Sequence, residues 1–350
     1  MKISKFEQFK TILNMNKLSL SMITFLLPIA FIACGSSNSK KNDTAEVNSS
    51  TIKKIIVPQF NADSAYLFIQ NQVDFGPRVP NSEGHKKCAN WLESKLNDFG
   101  AKVYRQDFEA IAYDGTILKA SNIIGAYKPD AKKRVALFAH WDTRPWADND
   151  PDKKNHNTPI LGANDGASGV GVLLEIARLI HNNQPELGID IILFDAEDYG
   201  APQFYTGTHK EEHWCLGSQY WSRIPHVSNY NARFGILLDM VGAKNATFYK
   251  EGYSTYYAKS LTKKIWNQAH QLGYGKFFIK QDGGTIIDDH LFINKLTNIK
   301  TVDIIPYYPY NKESSFGNTW HTIKDNMDDI SKETLQAVGQ TVLTIIYNEN

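Results

Sequence analysis

The sequence predicts an α/β fold built on a mixed, mostly parallel sheet, and three observations carry that expectation. Residues 189–194 are a nearly all-apolar run of strand length, as a strand buried on both faces requires, and the run stops in Asp195, Glu197 and Asp198. From Arg134 onward short apolar runs alternate with helical patterns, the signature of βαβ units. Asp114 and Gly115 sit between two strand-like stretches, 103–111 and 116–127, which puts an antiparallel hairpin at one edge.

Taken in order, residues 61–73 read as a first helix, followed by the loop 75–84, whose Ser82 caps a second. In that second helix Cys88, Trp91, Leu92, Leu96 and Phe99 recur at three and four, and Gly100 stops it. After the hairpin, residues 134–139 form a short buried strand that runs into His140 and Asp142. Then come a helix over 166–181, the central strand from Ile189, a helix near Ser218 and a strand over 234–240. A helix over 255–272, a strand over 301–305 and a last helix over 332–347 complete the pattern.

At 350 residues, 42% hydrophobic and 21% charged, the chain is long enough for one large α/β domain with a well-buried core. The N-terminus departs from this composition. Lys17 precedes an apolar run from Leu18 to Ala33, which ends at Cys34 before a Gly/Ser-containing stretch. That is a secretory signal rather than a membrane span, with Met15 an alternative start. Cys34 reads as the lipidated cysteine of a bacterial lipoprotein, an exported, periplasmic protein anchored there, although Phe31 stands where Leu is usual. Ordinary cleavage releasing a free protein is the other reading. Residues 34–54, rich in Ser, Asn and Lys, form a tether, and the folded domain is expected over 55–350. Without residues 1–33 the chain has 34 basic and 36 acidic residues, a formal charge of −2, so nucleic acid is not an implied partner. Cys88 and Cys215 then remain, either as packing residues or as a single bridge.

Chemistry gathers where the predicted strands end. His140 and Asp142 follow the first, Glu197 and Asp198 the next, and Asp239 the third, while the fourth leads to Trp320 and His321. Asp165 precedes a glycine-rich helix start. In open α/β sheets these ends share one crevice. So many acids and imidazoles are costly to bring together without a cation, and zinc is the natural one.

These residues stand in the stretches FGPRVPNS, HWDTRPWAD, GANDGASGVGVLLEIARL, FDAEDYG, ILLDMVGA, DDHLFINK and NTWHTIKDN, in that order over about residues 58–347. As a set they resemble the zinc aminopeptidase-like clan and, within it, the animal-type glutaminyl cyclases that also occur as secreted bacterial proteins. The resemblance implies a single three-layer α/β/α sandwich. It implies that Asp165, Asp198 and His321 hold one zinc and that Glu197 is the general acid/base. It implies roles for Asp288 and Asp239 in orienting the scissile amide and for Trp320 in lining the substrate pocket. In the clan's two-zinc peptidases His140 and Asp239 bind a second metal that Asp165 bridges. Taken alone, Asp288 reads as a helix cap and Trp320 as a core aromatic. Two departures stand out. Asp303 replaces a histidine that partners the extra acid in animal enzymes, and an insert over 201–214 leaves open whether Trp214 supplies the second indole.

The function implied is conversion of N-terminal glutaminyl residues of peptides or proteins to pyroglutamyl with release of ammonia. A two-zinc aminopeptidase is the alternative, and a non-catalytic binding lipoprotein is a third reading from another class.

Overall fold

The computed structural model describes residues 56–349. The signal segment 1–33 with its alternative start Met15, Cys34 and the tether 34–54 lie outside the described residues. Among those described, no helix is long and apolar enough to cross a membrane.

Two helices open the chain, α1 (Ala62–Val73) and α2 (Glu83–Asp98). Asn61 caps α1 by accepting from the amides of Asp63 and Ser64, and Ser82 caps α2 through the amide of His85. The hairpin β1 (Lys102–Ile111) and β2 (Ile117–Tyr127) follows, then β3 (Arg134–His140), α3 (Ala167–Asn182), β4 (Gly188–Phe194) and α4 (Leu216–Arg223). The remaining elements are β5 (Gly235–Leu238), β6 (Phe248–Lys250), α5 (Gly252–Gln271), β7 (Phe278–Asp282), α6 (Asp289–Leu296), β8 (Thr301–Ile304) and α7 (Lys332–Tyr347).

The main sheet runs β1-β2-β4-β3-β5-β8. Its β4, β3, β5 and β8 pair in parallel, whereas β1–β2 and β2–β4 are antiparallel, so the hairpin forms the edge. Alternation along the strands builds two cores. Val135, Leu137 and Ala139 of β3 join Ile189, Ile191 and Leu193 of β4 in a large cluster that also takes in α1, α3 and α7. Ala136, Phe138, Ile192 and Phe194 point to the opposite face, where Trp221 and Ile293 cover them from α4 and α6. This is the three-layer sandwich. Every residue of β4 is buried, as its nearly all-apolar run requires, and the one carboxylate in it, Asp190, is paired with Arg134.

The expected strand over 234–240 ends earlier, at Leu238, because Met240 turns into the left-handed region at φ 49°. The structure adds β6, β7 and α6, which periodicity did not single out; the strands have three and five residues and the helix eight, too short to show a period.

Candidate active site

Sharp turns follow the parallel strands, and buried carboxylates hold two of them. Asp142, just after β3, accepts from the amides of Glu197 (3.0 Å) and Asp198 (3.2 Å). Asp325 does the same for Asn164 (2.7 Å) and Asp165 (3.0 Å). Gly166 then starts α3 at φ 99°, where a Cβ would lie 2.3 Å from the carbonyl oxygen of Asp142. Ala196, Cys215, Met240 and His321 all take positive φ, between 49° and 57°, although none is glycine. Two of them, Ala196 and Met240, stand just past strand ends, and such left-handed non-glycine residues are the strain that functional sites store. Asp195 turns away from the crevice and pairs with His85 at 2.8 Å.

Four metal-type clusters occur among the described residues, and two of them share Asp165. In Asp165, Asp198 and His321, the ligand atoms all lie within 4.8 Å of one another; His321 Nε2 is 3.3 Å from Asp198 Oδ1 and 3.6 Å from Asp165 Oδ2. Two ligands each about 2.0–2.1 Å from a tetrahedral ion stand roughly 3.3 Å apart. Asp198 Oδ2 is buried with no hydrogen-bond partner, a cost that a cation removes. His321 Nδ1, on the far side of the ring, lies 3.4 Å from Asp148 Oδ1, the outer carboxylate that a metal-binding imidazole generally faces. One histidine and two carboxylates with this spacing fit zinc. The second cluster is His140, Asp165 and Asp239, with His140 Nε2 at 3.1 Å from both Asp165 Oδ1 and Asp239 Oδ1.

Beside the first cluster opens a pocket of about 620 Å³, lined by Glu197, Asp239 and Asp288 on its acidic side and by Trp214, Phe316 and Trp320 on its aromatic side. Trp320 stacks on His321 with ring centroids 3.8 Å apart, and Trp214 lies parallel to His321 at 6.3 Å. Glu197 Oε1 accepts the Cys215 thiol at 3.1 Å, and atoms of Glu197, Cys215 and Asp288 fall within 4.8 Å of one another. Burial, with Asp198, Asp288 and Asp289 nearby, pushes the Glu197 carboxyl well above its ordinary range, and burial with Asp239 raises Asp288 to about 6. A wider polar groove of about 890 Å³ lies away from these groups, between the start of α2 and the β1–β2 hairpin.

A model described as peptidase family M28 matches residues 122–346, nearly two thirds of the chain and all of the site. The chain belongs to peptidase family M28. Among solved structures, this M28 chain is similar to the glutaminyl cyclase of Bacteroides thetaiotaomicron bound to N-acetylhistamine, at 69% identity over 84% of this chain and 100% of that one, TM-score 0.83. It is also similar to the glutaminyl cyclase of Tannerella forsythia, at 55% identity over 84% of this chain and 100% of that one, TM-score 0.82. Among curated proteins it is 26% identical to aminopeptidase YwaD of Bacillus subtilis over 81% of this chain, and it spans 56% of that protein's length.

Within the M28 chain the structure gathers Asp165, Asp198, His321, His140 and Asp239 in the two clusters, and brings Glu197, Asp288, Trp320 and Trp214 into the pocket wall. Trp214 does face the pocket, so the insert delivers an indole. Asp288 plays both of its readings at once. Its Oδ1 caps α6 through the Asp289 amide while the residue lines the pocket. Asp303 lies in the same cluster as Asp288 and His290, both of its carboxyl oxygens are buried without a hydrogen-bond partner, and burial with Asp288, Asp239 and Glu251 alongside raises it well above the usual range. The bridge reading of Cys88 and Cys215 is corrected: both are free and buried, because Cys88 faces the α2 core while Cys215 is held against Glu197. Sequence reasoning passed over Arg144, Asp148, Asp325 and Glu251. Arg144, Asp148 and Asp325 stand in quoted motifs, but nothing in their spacing shows which carboxylate Arg144 meets or which amides Asp325 holds.

Proposed function

We propose that this chain is a zinc-dependent glutaminyl-peptide cyclotransferase, converting N-terminal glutaminyl residues of peptides and proteins to pyroglutamyl and releasing ammonia. The observation that carries the reading is that Glu197 and Asp288 come within 4.8 Å of each other in one pocket, beside a metal-type cluster to which neither belongs. Two such carboxyls can hold one small nitrogen group between them. The similarity to two structures named as glutaminyl cyclases, at 69% and 55% identity, supports it.

Asp165, Asp198 and His321 would hold one zinc, which when bound supplies Lewis-acid polarisation of the side-chain carbonyl. Glu197 takes a proton from the α-amine as that nitrogen attacks the γ-carbonyl carbon of its own residue. It then gives the proton to the departing amide nitrogen, so the C–N bond breaks, ammonia leaves and a five-membered lactam remains. Asp288, with Asp239 beside it, accepts from the amide N–H and orients it. The Trp320 and Trp214 rings enclose the glutaminyl methylenes, hold amine and carbonyl close, and exclude the water that would divert the reaction to hydrolysis.

A two-zinc aminopeptidase is the second reading, favoured by the Bacillus subtilis likeness and by the second cluster. Against it, Asp288 and Trp320 line the pocket, as the cyclase reading expects. Zinc stoichiometry measured together with ammonia release from a glutaminyl dipeptide, beside cleavage of a leucyl chromogenic amide, decides. One zinc, ammonia and an intact leucyl amide are expected, with Glu197→Gln keeping the zinc and losing the ammonia. Two zincs with leucyl cleavage overturn the proposal, and silence in both assays would favour a binding protein. We also propose export with a lipid anchor at Cys34, supported by the residue pattern 17–36 alone; a Cys34→Ala chain that still incorporates labelled lipid would exclude the anchor.

A further inference from the structure

Arg144 is buried, 1% exposed, yet it belongs to none of the metal-type clusters and does not line the pocket. Its Nε and Nη2 donate to the two oxygens of Asp148 at 2.7 and 2.6 Å. Its Nη1 donates to the carbonyl oxygen of Asp198 at 3.1 Å and lies 3.4 Å from Asp198 Oδ1 and from the carbonyl oxygen of Gly200. Asp148 Oδ1 in turn faces His321 Nδ1 at 3.4 Å, and Asp148 Oδ2 accepts the Gln203 amide at 2.8 Å. The flat face of the guanidinium lies 4.7 Å from the Trp214 ring and 5.5 Å from that of Trp146.

One side chain therefore touches Asp198 directly, reaches His321 through one carboxylate, and supports the indole that walls the pocket. Only arginine offers this combination, a fork that fills both oxygens of Asp148, a further N–H for Asp198, and a planar face for an aromatic ring. Asp148 also neutralises the positive charge that Arg144 would otherwise hold beside a cation ligand. Resting on the zinc-dependent reading above, we propose that Arg144 is a positioning residue that fixes Asp198 and His321 for zinc and Trp214 for the substrate, coupling metal affinity to pocket shape.

The test uses the full chain with Arg144→Lys, which keeps the charge but loses the fork and the plane. Three quantities are read, namely zinc affinity by competition with a chromophoric chelator, the melting temperature of the zinc-free protein, and KM against kcat on a glutaminyl dipeptide. Zinc affinity should fall about 10–100-fold, as it does when an outer partner of a metal ligand is removed, with the zinc-free melting temperature little changed. KM should rise because Trp214 loses its support, whereas Trp214→Leu should raise KM and leave zinc affinity as it was. Zinc affinity within twofold of the parent in a folded Arg144→Lys chain overturns the proposal and leaves Arg144 as a structural ion pair. If Arg144→Lys does not fold, Asp148→Asn decides by the same affinity measurement, since it breaks the fork that Arg144 makes and removes the carboxylate charge behind His321; unchanged affinity there, or failure of both variants to fold even with zinc present, overturns it. The zinc readout needs no turnover, so it stands or falls separately from the cyclase reading.

Discussion

Asp165 serves two clusters made of the same groups, one imidazole and two carboxylates, and the two are arranged differently. Around His321 the polar atoms stand 3.3–3.6 Å apart, and one oxygen of Asp198 has no partner. Around His140 they close to 3.1 Å, with a hydrogen bond to Asp239. A nitrogen that donates a proton to a carboxylate cannot also present a lone pair to a metal. Burial disfavours a charged His140, but Asp142, Asp165 and Asp239 face it and raise it well above the ordinary histidine range. His321 is also raised by its carboxylates, but burial and the Arg144 charge both oppose the proton. Both imidazoles are thus raised by their carboxylates, and the two clusters differ in spacing and in the unpartnered oxygen of Asp198.

The largest effect should come from breaking the first cluster. His321→Ala is expected to lower bound zinc from about one equivalent to near zero and to cost at least about 10³-fold in kcat, because the charge developing on the carbonyl oxygen loses its stabilisation. Metal analysis with single-turnover kinetics checks both, and a variant that keeps its zinc would show that the metal resides on the His140 side. Breaking the second cluster should do less. Asp239→Asn is expected to retain one zinc and to slow turnover roughly 10–100-fold, since it disturbs an orienting group in the pocket rather than the metal. Loss of zinc in Asp239→Asn would mean that the two clusters bind metal alike and would erase the contrast.

His140, Asp198 and Asp239 were legible in the sequence because each stands at or just past the end of a strand whose apolar run announces it, as Phe194 does for Asp198, whereas Asp165 and His321 lie in longer loops and were grouped with them by the resemblance of their motifs. Parallel pairing then brings the strand ends together. Their division of labour was not legible. Whether His140 meets Asp239 as a hydrogen bond or across an ion depends on tenths of an ångström, and Arg144 reaches Asp198 through a fold that separates them by 54 positions. Cys215 was invisible for a different reason. Its contact with Glu197 depends on a left-handed turn at φ 57° that cysteine rarely adopts and that no residue pattern forecasts. Glu251 was hidden because the start expected for the helix over 255–272 fell four residues past it, so its capping of α5 went unread.

The smallest expected effect sharpens the comparison at its edge. Beyond Asp239 the His140 side continues through Asp288 and Asp303 to His290, whose Nδ1 lies 3.6 Å from Asp303 Oδ2 and whose Nε2 lies 2.9 Å from Glu251 Oε2. Glu251 reports on that end of the network. Burial alone would raise the Glu251 carboxyl. The hydrogen bond and charge of His290, with the amides of Ser254 and Tyr253, hold it instead at about 2, against an ordinary 4.5. A depressed carboxylate adds stability that is present above its unfolded pKa and lost as pH falls toward the folded one, here between about 4.5 and 2. The shift corresponds to on the order of 3 kcal/mol at neutral pH. Glu251→Gln should therefore be less stable than the parent by up to that amount above pH ~5, and the gap should narrow by at most ~1.4 kcal/mol per pH unit as the carboxylate of the parent protonates. Urea unfolding of both proteins at pH 6, 4 and 3 measures the gap. A gap that stays constant with pH would mean that the folded protein does not hold the Glu251 carboxyl below its ordinary range.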